Sequence, residues 1–417
     1  MMKKTLDIYL EHSLVGHLLQ DRSGRLRFRY TDEWLHYRNK IPLSWSLPLR
    51  EEAYNEKACR SFFAGILPEE TARRQIARIV GVSARNDYAL LEQIGGECAG
   101  AISFLPSGVT PPEVNYRYQA LDEGELHTAL EILPQRPLLV GDKGLRLSLA
   151  GVQDKLAVYV DEDGGISLPL GGAPSTHILK PAIPRFPNVA SNEALCLELA
   201  KAIGIPAATA TVRYVGDIEY LLVERYDRKI IAGEPYPQRL HQEDFCQALG
   251  VPPEHKYQSE GGPNLKTCFA LIREASKLPA VDIINLLNLV IFNIIVGNND
   301  AHGKNFSLLI SNENGKIMIQ FAPAYDVLST VYYPDLTDRM AMKFGKQADA
   351  NKITQRNITH FADSAGLGVA AVGRQMAEVS SKVLQMLPEI GPKYRKIPDL
   401  VDLIAERAEK ISLLAGD

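Results

Sequence analysis

The sequence predicts a two-lobed α+β fold, with a β-rich N-terminal subdomain and a mainly helical C-terminal lobe. Apolar residues alternate as in strands near the N-terminus and again between residues 147 and 227. After residue 227, apolar residues recur at helical spacing. A chain of 417 residues exceeds the usual size of a single hydrophobic core, so it should divide into about two or three parts.

These patterns divide the chain into four predicted regions. They are an N-terminal subdomain (1–106), a connecting segment (107–139), an N-lobe (140–229) and a helical C-lobe (230–417). The connecting segment begins at 107–112, where consecutive prolines stop both helix and central strand. In the N-terminal subdomain, strands are predicted at 6–10 and 26–30. Helices are predicted at 58–66, 68–80, 87–94, 123–132, 192–203, 267–276, 282–296, 370–386 and 397–413.

Composition excludes several classes of protein. Hydrophobic residues make up 46% and charged residues 23%, which is ordinary globular usage. A net charge of -4 and a pI of about 6.2 lack the basic excess of a self-sufficient nucleic-acid binder. The five cysteines are scattered without a C-x-x-C pair, which argues against a zinc site or a disulfide framework. This cysteine usage fits a reducing cytosol, so we expect a cytoplasmic protein.

No membrane association is expected. The N-terminus is basic, but Asp7 and Glu11 interrupt the residues that follow, so it does not resemble a signal peptide. The most apolar run, 284–296, is too short to span a bilayer and contains Asn285, Asn288 and Asn293. We therefore predict a buried helix of the C-lobe there.

The residues at 300–305, DAHGKN, are the most informative in the chain. Asp300 is followed by Asn305 within a short loop, and Asp326 stands alone between apolar residues some twenty positions later. That layout is typical of a phosphoryl-transfer site, in which the first Asp would receive the proton of an attacking hydroxyl. Asn305 and Asp326 would then hold Mg²⁺, a hard cation that prefers oxygen ligands. Because Asn, Asp and Gly also cluster in ordinary turns, this interpretation depends on a matching upstream half.

The upstream half begins at 148–155, SLAGVQDK, which precedes a strand at 156–160. A Gly-containing turn that leads into a strand can present backbone N–H groups to phosphate oxygens. Lys180 closes a second strand and could neutralise phosphates. Glu193, in the first turn of the predicted helix 192–203, could pair with Lys180 or simply favour the positive end of the helix dipole.

A third apolar strand, 220–227, turns polar at Glu224 and Tyr226. In a kinase, the segment that joins the two lobes offers backbone groups to adenine. Glu224 and Tyr226 follow the predicted N-lobe elements and precede the C-lobe, which is where that segment stands in a kinase sequence. The order of parts is thus that of a two-lobed kinase, although H-R-D and D-F-G are absent. Asp-x-His-x-x-Asn is closer to the catalytic loop of lipid kinases.

Taken together, these segments resemble HipA, the serine/threonine-kinase toxin family of bacterial type II toxin–antitoxin modules. The resemblance implies a HipA-like, protein-kinase-like fold. The segments that carry it are 43–49, 94–101, 148–155, 176–180, 224–228, 242–247, 256–257, 261–263, 300–305 and 325–326.

The resemblance also implies roles for individual residues. Asp300 matches the catalytic base, and Asn305 and Asp326 match the Mg²⁺ ligands. The residues implied to bind ATP are Ala150, Gly151, Val152, Gln153, Asp154 and Lys155 of the phosphate loop, Lys180, the hinge residues Glu224, Arg225 and Tyr226, and the pocket residues Gln242, His302 and Tyr325.

Ser148 matches a serine that family members phosphorylate on themselves, which expels the phosphate loop and inactivates the kinase. The physics is consistent, because a phosphoserine carries nearly two negative charges and would repel ATP phosphates beside it. Two residues depart from the family pattern. Asp154 stands where Glu is expected, and Val152 replaces a smaller residue.

The resemblance therefore implies an ATP- and Mg²⁺-dependent serine/threonine-protein kinase that acts as a toxin. The implied substrate is an aminoacyl-tRNA synthetase, often the glutamyl enzyme. The implied partner is a helix-turn-helix antitoxin of the HipB type, which would supply most of the affinity for operator DNA and bring the toxin to the nucleoid. Two alternatives remain open: a lipid or small-molecule kinase of the same fold, and a pseudokinase that serves as a co-repressor.

Overall fold

The structure is a computed structural model that describes residues 4–111, 116–142 and 144–416. Pro112, which ends the predicted linker run, lies outside the described residues, as does the start of the basic N-terminus, 1–3. Buried apolar side chains form one continuous core that runs from the N-terminal subdomain to the last helix. The N-terminal subdomain is therefore packed into the same body as the two lobes.

The N-terminal subdomain contains a four-stranded antiparallel sheet and four helices. The strands are β1 (Lys4–Leu10), β2 (Ser13–Gln20), β3 (Leu26–Tyr30), β4 (Glu97–Cys98) and β5 (Ile102–Pro106), and the helices are α1 (Asp32–His36), α2 (Glu56–Phe63), α3 (Glu70–Val80) and α4 (Asp87–Ile94). The sheet order is β3-β2-β1-β5. Both predicted strands are confirmed, but β2 lies between them and was missed, because Gly16 and His17 interrupt its apolar alternation.

The predicted helices of this subdomain are confirmed, and their ends have clear physical causes. The side chains of Asn55 and Asn86 accept hydrogen bonds from backbone N–H groups in the first turns of α2 and α4. Helix α3 ends at Gly81, whose φ of 72° suits a left-handed cap. A short 3₁₀ turn, Ala64–Ile66, directly follows α2.

The connecting segment and the N-lobe share one six-stranded sheet, in the order β11-β12-β10-β8-β9-β6. The elements are β6 (Arg117–Ala120), α5 (Glu123–Ile132), β7 (Leu147–Ser148), β8 (Leu156–Val160), β9 (Ile166–Leu170), β10 (His177–Pro181), α6 (Val189–Ala202), β11 (Ala210–Val215) and β12 (Ile218–Glu224). The connecting segment thus contributes the edge strand β6, and β7 pairs in parallel with β4 of the N-terminal subdomain. The predicted helix 192–203 begins earlier, at Val189, so Glu193 lies beyond the first turn.

The C-lobe is mainly helical, but it also carries a three-stranded sheet that was not predicted. Its elements are β13 (Arg228–Lys229), β14 (Gln238–Arg239), β15 (His241–Asp244), α7 (Phe245–Ala248), α8 (Leu265–Ala275), α9 (Pro279–Val296), β16 (Ser307–Glu313), β17 (Lys316–Phe321), β18 (Arg339–Phe344), β19 (Gln347–Asp349), α10 (Gln355–Ala365), α11 (Val369–Ile390) and α12 (Pro398–Gly416). The sheet order is β15-β16-β17. It places β15 directly beside β16, which follows the DAHGKN residues.

Helix α9 is the buried helix that the apolar run predicted, but it is longer than that run. It starts at Pro279, where proline is favoured in the first turn, and ends at Gly297 with a φ of 75°. Within the described residues, it is the one helix with the length and composition of a membrane span, and 61% of it is buried inside the protein. It packs against α8, α11 and α12, as a core helix does.

Candidate active site

A cleft of about 890 Å³ separates the N-lobe sheet from the C-lobe. Residues of the N-terminal subdomain, among them Phe62, Ile66 and Glu69, form part of its wall. Of the predicted site residues, Ser148 alone does not line it. Those that do are Ala150, Gly151, Val152, Gln153, Asp154, Lys155, Lys180, Glu224, Arg225, Tyr226, Gln242, Asp300, His302, Asn305, Tyr325 and Asp326.

Lys180 lies at the centre of the cleft between two carboxylates. Its Nζ is 2.7 Å from Glu193 Oε1 and 2.7 Å from Asp326 Oδ1. Pairing of Lys180 with Glu193, one of the two predicted possibilities, is therefore confirmed. Burial alone would lower the pKa of Lys180, but the two carboxylates outweigh it and raise that pKa above its ordinary value. Lys180 therefore stays positively charged and contacts both Glu193 of α6 and Asp326.

Asp326 and Asn305 lie together on the C-lobe side of the cleft. Asn305 Nδ2 donates to Asp326 Oδ2 over 3.1 Å, and the Asn305 side-chain oxygen accepts the backbone N–H of His302 over 3.1 Å. The φ of Asp326 is 57°, a left-handed conformation that non-glycine residues adopt infrequently. Burial alone would raise the pKa of Asp326, but Lys180 and Lys155 hold it well below its usual range.

This donor set fits Mg²⁺. Asp326 supplies an ionised carboxylate and Asn305 an amide oxygen, and Mg²⁺ is usually held by one or two such groups together with phosphate oxygens and waters. Within the described residues, no cluster of three or more His, Cys, Asp or Glu side chains is arranged to hold a metal by itself. A metal in this cleft would therefore depend on a bound phosphate for the rest of its ligands.

Asp300 follows the C-terminal end of α9, and its loop is fixed by amide side chains. Its backbone N–H donates to Asn298 Oδ1 over 3.2 Å, and Asn298 Nδ2 donates to Asn293 Oδ1 over 3.0 Å. The side chain is accessible to solvent within the cleft, and Tyr257 Oη donates to its Oδ1 over 2.9 Å. Enclosure by the cleft walls raises the pKa of Asp300, although the Tyr257 hydrogen bond and Lys256 oppose this effect.

The predicted phosphate loop, 150–155, is folded into the cleft. Lys155 Nζ donates to the backbone carbonyl of Ala150 over 2.8 Å, and the backbone N–H of Glu69 donates to the carbonyl of Gly151 over 3.3 Å. Gly151 has a φ of 109°, and a Cβ there would lie 2.5 Å from Lys155 Nζ. The positive φ favours glycine at this turn. Val152 lines the cleft and is 45% exposed, so its added bulk is only partly packed.

Ser148 lies outside the cleft and is fully buried, with 0% exposure. Its Oγ donates to the carbonyl of Ile66 over 3.0 Å, and its strand β7 pairs with β4. In this conformation the hydroxyl is inaccessible to a phosphate donor. The predicted self-phosphorylation therefore requires β7 to leave β4 first.

The end of the cleft beside the predicted hinge residues, 224–226, is lined by two aromatic rings. The rings of Tyr226 and Tyr325 are stacked with centroids 5.4 Å apart, and Tyr226 Oη donates to Gln242 Oε1. Tyr325 Oη donates to the carbonyl of Lys304 over 2.6 Å. Glu224 ends β12 with its side chain exposed. Three of the predicted nucleotide residues, Tyr226, Gln242 and Tyr325, thus form one connected cluster.

The Arg225 side chain, by contrast, is turned away from this cluster into a buried ion network. Its Nη2 is 2.8 Å from Asp227 Oδ2, and its Nη1 is 3.3 Å from Glu97 Oε1. Glu97 also binds Arg228 and Arg239, each at 2.7 Å. Burial alone would raise the pKa of Glu97, but the three guanidinium groups hold it far below its usual range. The network joins the N-terminal subdomain to the hinge, so the Arg225 side chain is not free to bind a nucleotide.

Several charged cleft residues were not predicted as site residues. Lys256 Nζ is 2.8 Å from Glu69 Oε2, and Lys304 Nζ is 2.7 Å from Asp244 Oδ2 and 3.8 Å from Glu69 Oε1. Glu69 comes from the N-terminal subdomain, far away in sequence, so no local pattern could reveal it. Lys304 could have been found, since it lies between Asp300 and Asn305.

His302 is buried beside these groups. Burial and neighbouring Lys256 lower the pKa of His302 to about 3, so its ring is neutral at physiological pH. Its ring meets that of Tyr257 edge to face, with centroids 5.1 Å apart. A neutral ring adds no positive charge to the cleft, whereas the lysines of its lining do.

Comparison with known proteins identifies the family. The sequence model of the HipA-like C-terminal domain matches residues 147–388, and that of the HipA N-terminal domain matches residues 6–105. The chain belongs to the HipA family. The Sinorhizobium fredii protein Y4mE is 44% identical over 99% of this chain and 100% of its own length. The Shewanella oneidensis serine/threonine-protein kinase toxin HipA is 29% identical over 93% of this chain and 90% of its own length.

A solved structure agrees with this assignment. The HipA chain in a complex of Shewanella oneidensis HipA, HipB and its operator DNA matches with a TM-score of 0.86 and 26% identity, covering 99% of both chains. The protein is thus a HipA-family kinase, and the predicted two-lobed α+β fold is confirmed. The matched C-terminal domain of HipA includes Lys180, Asp300, Asn305 and Asp326.

Proposed function

We propose that this HipA-family kinase transfers the γ-phosphoryl group of ATP to a protein serine or threonine, in an Mg²⁺-dependent reaction with Asp300 as the base. One observation carries the proposal. Lys180, Asp326 and Asn305 form a continuous hydrogen-bonded chain in the same cleft that Asp300 faces. Phosphoryl transfer needs such an arrangement, because catalysis consists mostly of positioning and charge neutralisation.

Each residue then has a defined task. Lys180 and Lys155 attract the phosphates, and Gly151 allows the loop backbone to approach them closely. Asp300 orients the acceptor hydroxyl and takes its proton. Asp326 and Asn305 would hold Mg²⁺, which when bound neutralises charge on the transferred phosphoryl group. The Asn305 amide now donates to Asp326, so it would turn to present its oxygen.

The adenine would bind at the hinge end, beside the stacked rings of Tyr226 and Tyr325. The backbone N–H of Tyr226 donates to no acceptor among the described residues, so it is free to bond a ring nitrogen. The Glu224 and Arg225 backbones lie on the same segment. The Tyr226 hydroxyl donates a hydrogen bond to Gln242, which fixes the Tyr226 ring. Gln242 also borders the same pocket.

We further propose that phosphorylation of Ser148 inactivates the kinase. A phosphoserine carries nearly two negative charges and could not remain in a site with 0% exposure. Its formation would keep β7 away from β4 and draw the adjoining loop, 150–155, out of the cleft. Lys155 and Gly151 would then no longer be placed to receive ATP phosphates.

The proposed partner is a helix-turn-helix antitoxin of the HipB type, with operator DNA bound mainly through it. Support comes from the structural match to HipA in its complex with HipB and operator DNA. The net charge of -4 also favours DNA affinity supplied by the partner. The proposed substrate is an aminoacyl-tRNA synthetase such as the glutamyl enzyme, and the proposed location is the cytoplasm, with the nucleoid when the antitoxin is bound.

The test is transfer of label from [γ-³²P]ATP with and without Mg²⁺. Reactions contain the kinase alone, the kinase with purified glutamyl-tRNA synthetase, or the kinase with phosphatidylinositol vesicles. We expect Mg²⁺-dependent label on protein serine or threonine, abolished in Asp300→Asn. Label on lipid alone would support the lipid-kinase alternative, and no label in any arm would support the pseudokinase.

A further inference from the structure

Residues 256–263, which we call the KY loop, contain Lys256-Tyr257 and Gly261-Gly262-Pro263. Tyr257 lies in the wall of the cleft. Its Oη donates to Asp300 Oδ1 over 2.9 Å. No hydrogen bond to the other carboxylate oxygen, Oδ2, is formed by the part of the chain that the structure describes. One oxygen of the proposed base is thus engaged by tyrosine and the other is left to the cleft.

The KY loop is held rigidly by its own backbone. The N–H of Gly262 donates to the carbonyl of Tyr257 over 2.9 Å. A Cβ on Gly262 would lie 2.1 Å from the carbonyl oxygen of His255, so no other residue fits. Gly261 has a φ of +92°, which favours glycine. The two glycines therefore set one tight conformation for the turn that carries Tyr257.

The KY loop is also fastened to its surroundings. The N–H of Gly303, in the catalytic loop, donates to the carbonyl of Lys256 over 3.3 Å. A Cβ on Gly303 would lie 2.7 Å from Pro263 Cγ, so the two loops are in close contact. Lys256 Nζ reaches Glu69 of the N-terminal subdomain at 2.8 Å. The Tyr257 ring itself rests against His302.

Two roles are compatible with a tyrosine hydroxyl on the base. As a gate, Tyr257 would occupy the place of the acceptor hydroxyl and would have to swing away before reaction. As a positioning residue, it would hold Oδ1 so that Oδ2 points at the acceptor. A gate needs a mobile loop or a free ring, whereas the KY loop is fixed by its glycines, by Gly303 and by Glu69, and the Tyr257 ring packs against His302.

We propose that Tyr257 is a positioning residue for phosphoryl transfer: its hydroxyl holds Oδ1 of Asp300 and leaves Oδ2 to accept the proton of the substrate hydroxyl. This role rests on the proposed function of Asp300 as the base. Glu69 supports the same arrangement from the N-terminal subdomain by holding Lys256. The N-terminal subdomain thus helps to set the geometry of the base.

The effect should be on the rate of transfer and not on nucleotide binding. A correctly placed general base contributes about 10²–10⁴-fold to a rate. Tyr257→Phe leaves the base in place and removes only its restraint, so we expect a loss of about tenfold in kcat. Among the described residues, the Tyr257 hydroxyl is hydrogen-bonded to Asp300 and not to the hinge or the phosphate loop. KM for ATP should therefore change less than about twofold.

The experiment compares wild type, Tyr257→Phe, Asp300→Asn and the matched control Tyr214→Phe. Tyr214 donates to the Glu219 carboxylate over 2.6 Å on the surface of the N-lobe, so the control removes a similar hydrogen bond away from the cleft. Initial rates of label transfer from [γ-³²P]ATP are measured with the kinase alone and with glutamyl-tRNA synthetase. Affinity for a non-hydrolysable ATP analogue is measured in parallel.

Support would be a loss of kcat in Tyr257→Phe with unchanged analogue affinity, while Tyr214→Phe behaves as wild type. An unchanged rate in Tyr257→Phe, with Asp300→Asn inactive, would overturn the positioning role alone. A faster rate would also overturn it, in favour of a gate. If wild type transfers no label, or Asp300→Asn stays active, the proposed function fails and this inference fails with it.

Discussion

Replacing Lys180 with methionine separates the structural role of this lysine from its proposed role in ATP binding. Lys180 and Glu193 are buried, with 7% and 2% of their side chains exposed, and the pair is 2.7 Å apart. Removing one partner of a buried ion pair costs about 3–5 kcal/mol, because the remaining charge is left uncompensated. We therefore expect Lys180→Met to lower the free energy of unfolding by about that amount.

The pH dependence of this loss gives an internal check. Without Lys180, the buried Glu193 carboxyl should have a pKa raised further above its unfolded value, since burial already raises it in the wild type. A raised carboxyl pKa contributes stability that is present below the unfolded pKa and is lost as pH rises through the folded pKa. The deficit of Lys180→Met should therefore shrink at acidic pH.

The double variant Lys180→Met/Glu193→Leu is the matched control. Replacing a buried pair by apolar residues of similar volume is often neutral, so most of the lost stability should return. Phosphoryl transfer should not return, because no cation replaces Lys180 beside Asp326. Urea unfolding of all three proteins, together with label transfer from [γ-³²P]ATP, tests both statements. Recovery of transfer in the double variant would refute the reasoning that Lys180 binds phosphate.

Three other predictions concern the proposed metal ligand Asp326, the buried Ser148 and the buried Glu243. Asp326→Asn should weaken the Mg²⁺-dependent binding of an ATP analogue at least about tenfold by calorimetry, since a carboxylate is the stronger ligand for a hard cation; equal affinity would refute its metal role. Ser148→Asp should place a charge in a site with 0% exposure, which should release the loop and so reduce the affinity for the ATP analogue. Ser148→Ala should only remove one hydrogen bond, which should lower the free energy of unfolding by about 1 kcal/mol. Burial raises the pKa of Glu243 to about 8, so its stabilising contribution should be complete below pH 4.5 and lost as pH rises toward 8. In thermal unfolding, Glu243→Gln should flatten the dependence of stability on pH. An unchanged pH profile would contradict this role of Glu243.

Much of the fold was predictable because the signals are local. Helices α4 and α5 have the bounds that apolar periodicity and caps predict. Strand β2 was missed because Gly16 and His17 break its alternation. In the sheet β15-β16-β17, the pairing of β15 with β16 joins residues far apart in the chain, so no local pattern could reveal it. Strands β16 and β17, by contrast, form a hairpin joined at Asn314-Gly315, a local signal that the sequence analysis missed.

The candidate site was predictable to a similar extent. Asp300, Asn305 and Asp326 were selected from the sequence because phosphoryl transfer needs those side chains in that order, and the structure places all three in one cleft. Glu69 was not found, because its contacts with Lys256 and Lys304 join residues far apart in the chain. The burial of Ser148 was also unpredictable, since it depends on the pairing of β7 with β4 of another part of the protein.

The central claim is that one cleft holds Mg²⁺ and ATP with the γ-phosphoryl group facing Asp300. A crystal structure of the protein with Mg²⁺ and a non-hydrolysable ATP analogue tests it most directly. We predict the metal at about 2.1 Å from oxygens of Asp326 and Asn305, Lys180 against the phosphates, and the γ-phosphate opposite Asp300. A nucleotide bound elsewhere, or a metal held without Asp326 and Asn305, would contradict the account.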